Sequence, residues 1–136
     1  MFTYQPPADL LKDRIILVTG AGDGIGRAAA HAYAAHGATV ILLGRTLEKL
    51  EKIYDELEAA GAAQPAIVPL NLETAAEHDY IELSNQLHDT FGHLDGLLHN
   101  AGVLGVRTPL ENYDPVIWDQ VMKVNVNAPF LMTQTL

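Results

Sequence analysis

A cluster of glycines near the start of the chain has the spacing of a phosphate-binding turn. Residues 19–26 read TGAGDGIG. Backbone N–H groups at a helix N-terminus hold a pyrophosphate where the helix dipole is positive, and glycines let the phosphates come close because they lack Cβ atoms. We expect Gly20 to make the tight turn, Gly24 to admit the phosphates and Gly26 to let the following helix pack against a sheet.

This turn departs from the G-x-G-x-x-G fingerprint of dinucleotide-binding proteins. Ile25 stands where the third glycine belongs after Gly20 and Gly22. A purely structural turn is therefore the alternative, because glycines alone are a weak signal. The apolar strand before the turn, and the helix and second strand after it, favour dinucleotide binding. The turn residues predicted to contact the cofactor are Gly20, Asp23, Gly24, Ile25 and Gly26.

The choice of cofactor depends on the end of the second strand. An acidic residue there, about 20 positions after the glycines, would bind a ribose 2′-hydroxyl. This chain has Gly44 followed by Arg45 instead, and a guanidinium favours a 2′-phosphate. The alternative is that Arg45 is a solvated charge at the start of a helix. Asp23 weakens the case because it adds negative charge near the ligand, but NADP is still favoured over NAD.

Apolar strands alternate with amphipathic helices around this turn. Short apolar runs predict strands over 14–19, 38–43, 66–70 and 94–98. Helices are predicted over 24–36, on the stripe of Leu47, Leu50, Tyr54 and Leu57, on the face of Tyr80, Ser84, Leu87 and Phe91, over 115–124 and over 128–136.

The alternation predicts an α/β fold: a Rossmann-type, doubly wound parallel sheet in three α/β/α layers. The expected strand order is 3-2-1-4, with right-handed crossovers and with Pro69 placing the third strand at an edge. Residues 1–13 read as an N-terminal arm and 14–136 as the NAD(P)-binding domain. Leu94, Leu97 and Leu98 would lie on an exposed apolar edge. We therefore expect the domain to be incomplete at its C-terminus, or a partner chain to cover this edge.

Composition excludes several other classes of function. The formal net charge of -9 repels polyphosphate backbones, so nucleic acid is not an expected partner. The chain has no cysteine and no long apolar run, which is typical of a cytoplasmic protein without a membrane partner. The six histidines do not have the spacing of a metal site, and no metal is expected.

Three motifs together resemble the short-chain dehydrogenase/reductase family. They are Thr19-Gly20-x-x-x-Gly24-x-Gly26, then His99-Asn100-Ala101-Gly102 after the fourth strand, and then Asn125 in the stretch KVNV. Within the family, the chain is similar to the bacterial YciK-like oxoacyl-reductase subgroup. Family members commonly have Asn-Asn-Ala-Gly, so His99 is a departure, and we expect it to be a hydrogen-bonded structural residue.

The resemblance implies roles for residues beyond the glycine turn. Asn71 and Leu72 would line the adenine pocket. Asn100, Ala101 and Gly102 would face the ribose and nicotinamide side of the cofactor. Asn125 would be the catalytic asparagine that holds a water in a proton relay. Its alternative role is a polar residue that bends the helix and is satisfied by the backbone.

The family's reaction transfers a hydride between the nicotinamide and a small-molecule carbonyl or alcohol, using a Ser and a Tyr-x-x-x-Lys pair. None of the five tyrosines has a lysine four positions on. The first hypothesis is therefore the cofactor-binding part of an NADP-dependent reductase, which is a homo-oligomer in its full-length form, with this chain alone inactive. The second is a non-catalytic module that binds a nucleotide or pairs through its open sheet edge.

Overall fold

The N-terminal segment leads directly into the first strand. The computed structural model describes residues 4–136, so residues 1–3 of the predicted arm lie outside the described residues. Near the end of the arm, the N–H of Leu11 donates to the carbonyl of His36 at 2.9 Å, and Leu11 packs against the core. The boundary between arm and domain stays a prediction.

Strands and helices alternate along the described chain. The strands are β1 (Ile15–Thr19), β2 (Thr39–Gly44), β3 (Ala66–Pro69) and β4 (Gly96–Leu98). The helices are α1 (Gly24–Ala35), α2 (Leu47–Ala59), α3 (Glu77–Phe91), α4 (Pro115–Met122) and α5 (Ala128–Thr135), with a 3-10 turn at Leu110–Asn112 and a π-helical turn at Lys123–Asn127. None of the described helices has both the length and the apolar character that a membrane crossing requires.

The sheet has the predicted topology. Over residues 4–136 its order is β3-β2-β1-β4 and all pairs are parallel, which confirms the Rossmann-type α/β fold. Leu17 of β1 pairs with Ile41 of β2 and with Leu97 of β4. β3 lies at an edge, as Pro69 predicted. Because β1 is internal, its carboxyl end opens into the crevice where α/β sheets bind ligands.

Helices cover both faces of the sheet because successive strand residues point to opposite sides. On one face Leu17, Ile41 and Leu43 pack with residues of α3 and α5. On the other face Val18, Val40 and Leu42 pack with residues of α1 and α2. The predicted apolar stripe of α2 needs one correction: Ile53 is buried, whereas Leu47 is 43% exposed, since it begins the helix.

β4 starts later than the predicted 94–98 because the Asp95 side chain, and not a backbone carbonyl, accepts the hydrogen bond from β1 at this point. The Asp95 carboxylate accepts the Ile15 N–H at 2.8 Å, and the Asp95 N–H donates to the Ile15 carbonyl at 2.9 Å. The ladder with β1 then continues from Gly96. Leu97 and Leu98 are half-buried, and within residues 4–136 β4 pairs with β1 alone.

The last two helices form one helical run rather than the separate helices predicted over 115–124 and 128–136. The π-helical turn Lys123–Asn127 joins them. Pro129 lies in the first turn of α5, and it has no N–H to donate to the carbonyl of Asn125, four residues earlier. Single π-helical turns inside α-helices occur frequently at functional sites.

Candidate dinucleotide-binding site

An open cleft of about 290 Å³ lies at the carboxyl ends of the strands. The predicted site residues that line it are Gly20, Asp23, Gly44, Arg45, Asn71, Leu72, Ala101 and Gly102. They follow four different strands, so the sheet topology is what brings them together. The other predicted residues of the turn, Gly24, Ile25 and Gly26, form the start of α1 beside the cleft.

The glycine turn has the shape that a pyrophosphate cradle needs. Gly20 and Gly24 have φ values of +64° and +51°, in the region that favours glycine. A Cβ on Gly24 would meet no atom within 4 Å, so the space in front of it is open. A Cβ on Gly26 would lie 2.2 Å from the carbonyl oxygen of Gly20. The geometry fits a close approach of phosphates at Gly24 and close packing of α1 against the turn at Gly26.

Asp23 ends the turn and caps α1. Its Oδ1 accepts the N–H of Gly24 at 2.8 Å, and its Oδ2 accepts from Lys49 Nζ at 3.0 Å. The hydrogen bond from Lys49, followed by that from the Gly24 N–H, holds the pKa of Asp23 below its ordinary value. The carboxylate that weakens the sequence-based case for a phosphate ligand is thus paired with a cation.

Sequence reasoning missed Lys49, which lines the cleft. The available signal was its position four residues after Arg45, in the first turn of α2. Its approach to the glycine turn depends on how α2 packs against the rest of the fold.

The end of β2 supplies the second cation. Arg45 Nη1 lies 3.5 Å from Glu73 Oε1, and the Arg45 side chain is 66% exposed. Asn71 shapes the neighbouring segment, since its Oδ1 accepts the N–H of Glu73 at 3.0 Å. Arg45, Lys49, Asp23 and Glu73 all line the cleft. Two cations therefore face two carboxylates in this pocket, and the net charge of the four side chains is zero.

Thr19 and Asn100 connect the ends of β1 and β4. The Thr19 hydroxyl accepts the N–H groups of Asn100 and Ala101, each at 3.0 Å, and donates to the Leu98 carbonyl at 3.2 Å. The Asn100 amide donates to the carbonyls of Thr19 at 3.1 Å and Gly20 at 3.3 Å. Asn100 thus acts on the glycine turn, while Ala101 and Gly102 face the cleft. Thr19 was quoted in the motif but not predicted as a site residue.

Asn125 lies inside the π-helical turn and binds the segment after β4. Its Oδ1 accepts the Val103 N–H and its Nδ2 donates to the Val103 carbonyl, both at 2.8 Å. A Cβ on Gly102 would lie 3.4 Å from Asn125 Oδ1. The side chain therefore holds the strand-to-loop segment in place on the cleft side, and its predicted catalytic role stays a prediction.

His99 has the kind of partner expected of a structural histidine. Its Nε2 lies 2.9 Å from the Thr133 Oγ1 of α5. Partial burial lowers the pKa of His99 below its ordinary value, which favours the neutral ring. The contact ties the end of β4 to the last helix.

The fold and site define a class of protein. A family model described as short chain dehydrogenase matches residues 14–136, so the chain belongs to the short-chain dehydrogenase family, as its three motifs predicted. It is 50% identical over 133 residues to the uncharacterized oxidoreductase YciK of Escherichia coli K12, covering 98% of this chain and 53% of that protein. This similarity confirms the predicted YciK-like subgroup. The chain spans about half the length of the curated relatives it matches.

Solved structures of short chain dehydrogenases are similar to this chain in sequence and in fold. A short chain dehydrogenase from Pseudomonas syringae is 54% identical with a TM-score of 0.95, covering 100% of this chain and 56% of that one. A short chain dehydrogenase from E. coli CFT073, crystallised with NADPH, is 50% identical with a TM-score of 0.92, covering 96% of this chain and 55% of its own. The likeness extends over essentially the whole described fold.

Proposed function

We propose that this chain forms the NADP(H)-binding part of a short-chain oxidoreductase. The observation that carries the proposal is the convergence on one cleft of the glycine turn, the Gly44-Arg45 end of β2 and the Ala101-Gly102 segment after β4. The NADPH in the E. coli CFT073 structure supports the choice of cofactor. So does Gly44, which occupies the place where a carboxylate would favour NAD.

Each wall of the cleft has a role in this proposal. The N–H groups of Ile25 and Gly26, in the first turn of α1, receive the pyrophosphate, because N–H groups there have no carbonyl partner within the helix. Gly24 leaves the space that the phosphates enter. Asn71 and Leu72 bound the adenine. Arg45 binds the 2′-phosphate after releasing Glu73.

The nicotinamide side is formed by the segment after β4. Ala101 and Gly102 face the cofactor there, and Asn100 contributes by fixing the turn of β1 against this segment. The nicotinamide supplies or accepts the hydride when the cofactor is bound. Because this group lies near the segment held by Asn125, the helical run α4–α5 also helps to set its position.

Asn125 is proposed to hold a water molecule for proton transfer. Its side chain is already engaged with Val103 at 2.8 Å, so the group available for a water is its backbone carbonyl. Pro129 cannot donate to that carbonyl because it has no N–H. We propose that a water donates to this carbonyl in place of the missing N–H of residue 129.

The reaction proposed for the whole protein is hydride transfer between NADP(H) and a small-molecule carbonyl or alcohol. The chain's sequence contains no Tyr-x-x-x-Lys pair, so we expect the 136-residue chain alone to oxidise no NADPH with carbonyl substrates. Turnover by the purified chain would refute this part of the proposal.

Binding tests the cofactor proposal without requiring turnover. Isothermal titration of the chain with NADPH and NADH is expected to give saturable binding, tighter for NADPH by about tenfold or more, because the 2′-phosphate adds charge-assisted hydrogen bonds. Equal affinities would refute the assignment of the 2′-phosphate to Arg45. No binding of either nucleotide, together with self-association in sedimentation, would favour a module that pairs through the β4 edge.

A further inference from the structure

Gly22 is the one glycine of the turn that the dinucleotide cradle does not explain. The turn uses Gly20, Gly24 and Gly26, and the backbone at Gly22 is not in the left-handed region that would demand glycine. Space is the reason for a glycine here, since a Cβ on Gly22 would lie 3.2 Å from the Cβ of Lys49. That distance is tighter than ordinary van der Waals contact. The glycine thus lets the start of α2 pack directly over the phosphate turn.

Lys49 lies over the turn in a defined position. Its Nζ is 3.0 Å from Asp23 Oδ2, and the other oxygen of that carboxylate is fixed by the N–H of Gly24 at 2.8 Å. The Lys49 side chain is therefore held at both ends. Its Cβ packs on Gly22, and its ammonium bonds to a carboxylate that is itself anchored. Both Lys49 and Asp23 line the cleft that contains Arg45.

Stability does not account for this pair. The side chains of Lys49 and Asp23 are 55% and 79% exposed, and exposed ion pairs contribute little to folding. An ammonium has three N–H donors. Asp23 takes one of them, so Lys49 can contact a second anion without leaving its first partner.

We propose that Lys49, held over Gly22 by Asp23, is a second specificity-determining cation for the 2′-phosphate monoester of NADP(H), acting beside Arg45. This inference rests on the proposed NADP(H) function. Asp23 is the positioning residue. Its negative charge next to the turn is compensated by the lysine, and the compensated pair presents ammonium donors to the phosphate.

The test uses the adenosine half of the cofactor, with which no turnover is needed. Isothermal titration compares 2′,5′-ADP with 5′-AMP, which differ only in the 2′-phosphate. K49M keeps the length of the side chain and removes its charge, so it is expected to lower the affinity for 2′,5′-ADP about tenfold, the usual value of one charge-assisted hydrogen bond. Its affinity for 5′-AMP is expected to change by less than about threefold, because the lost contact is with the 2′-phosphate alone.

Two control variants separate a specific contact of Lys49 with the 2′-phosphate from a general effect of positive charge on anion binding. K49R retains a cation and is expected to keep most of the preference for 2′,5′-ADP. K52M removes a lysine three residues further along α2, where Lys52 is exposed and lies outside the described lining of the cleft. It is expected to leave both affinities unchanged. Equal losses in K52M and K49M would refute a specific role of Lys49.

The positioning role of Asp23 is tested by D23N, which can still cap Gly24 through its side-chain oxygen. Alone, D23N is expected to reduce the preference for 2′,5′-ADP, because the ammonium loses its anchor. In the K49M background it is expected to increase the affinity for 2′,5′-ADP, because an uncompensated carboxylate is removed. Effects of the same size in both backgrounds would show that Asp23 does not position Lys49.

The outcomes distinguish this inference from the function on which it rests. A wild-type chain that binds 2′,5′-ADP and 5′-AMP equally would refute the NADP preference and with it the role of Lys49. A wild-type chain that prefers 2′,5′-ADP, together with a K49M variant that prefers it equally, would refute the role of Lys49 alone. Circular dichroism and thermal unfolding of each variant verify that it is folded.

Discussion

Two glycines of the phosphate turn are expected to have different consequences when replaced by alanine. A Cβ on Gly26 would lie 2.2 Å from the Gly20 carbonyl oxygen and 2.5 Å from Asn100 Nδ2. Neither atom can move cheaply, because the Asn100 amide also donates to the carbonyls of Thr19 and Gly20. A Cβ on Gly24 would meet nothing within 4 Å. Gly26→Ala should therefore damage the fold, and Gly24→Ala should mainly damage ligand binding.

The two stability losses follow from these contacts. Forcing one methyl group into a packed site costs about 1–3 kcal/mol, and the backbone clash at Gly26 places it at about 3 kcal/mol or above. A chain of this size loses roughly 3–5 °C of Tm per kcal/mol, so Gly26→Ala should unfold about 10 °C or more below wild type. Gly24→Ala bears only the strain of its φ of +51°, about 1–2 kcal/mol.

Gly61→Ala is the matched control for backbone strain. Gly61 follows α2 with a φ of +74° and also has nothing within 4 Å of its Cβ position, but it lies outside the described lining of the cleft. Thermal unfolding should give similar losses for Gly24→Ala and Gly61→Ala. NADPH titration should show binding lost at least about tenfold in Gly24→Ala, since a methyl group would displace a phosphate contact, and unchanged in Gly61→Ala. A Gly26→Ala variant as stable as Gly24→Ala would refute the predicted clash at Gly26.

Three further substitutions test separate parts of the structure. Arg45→Asp should weaken NADP by about tenfold or more, and by far more than NAD, through repulsion of the 2′-phosphate; equal losses in a titration would show that Arg45 does not read that group. Asp95→Asn should lower Tm at neutral pH, because the Ile15 N–H and other partners hold the pKa of Asp95 below its ordinary value of 3.8. That stabilisation is present above the ordinary carboxyl pKa and disappears as pH falls through the lowered one, so the Tm difference between variant and wild type should shrink in acid; a constant difference would contradict it. Asn125→Asp keeps an acceptor for the Val103 N–H but loses the donor to the Val103 carbonyl, which should cost about 1 kcal/mol in denaturant unfolding. An unchanged midpoint would argue against the observed contact.

The fold was predictable because it depends on patterns local to the sequence. Residues 14–19 form an apolar run that is followed by Gly20. Pro69 has no N–H to donate to a neighbouring strand, which favours an edge position. Hydrophobic periodicities typical of strands and of helices alternate along the chain without interruption. Because crossovers between parallel strands are right-handed, few topologies are compatible with this order. The start of β4 and the π-helical turn were not predictable in this way. The first depends on the Asp95 carboxylate reaching Ile15, and the second on how the helical run packs.

The candidate site was predictable only where it follows the strands directly. Gly44 ends β2, and Gly102 follows β4 by four residues, so strand order alone brings them to one edge of the sheet. The contacts of Lys49 and Glu73 depend on the approach of separate elements, which spacing along the sequence does not encode. The inward amide of Asn100 is a further example. The motif identifies the residue, but only the structure assigns its side chain to the carbonyls of β1 and the turn.

The central claim is that NADP(H) binds in the cleft at the carboxyl ends of the strands. The most direct measurement is amide chemical-shift mapping of the 15N-labelled chain during titration with NADP+. We expect saturable shifts at Gly20, Gly44, Asn71 and Gly102, with little change at Asp95, which lies at the opposite end of β4. Shifts concentrated around Asp95, or no saturable shift at the cleft residues, would contradict the claim.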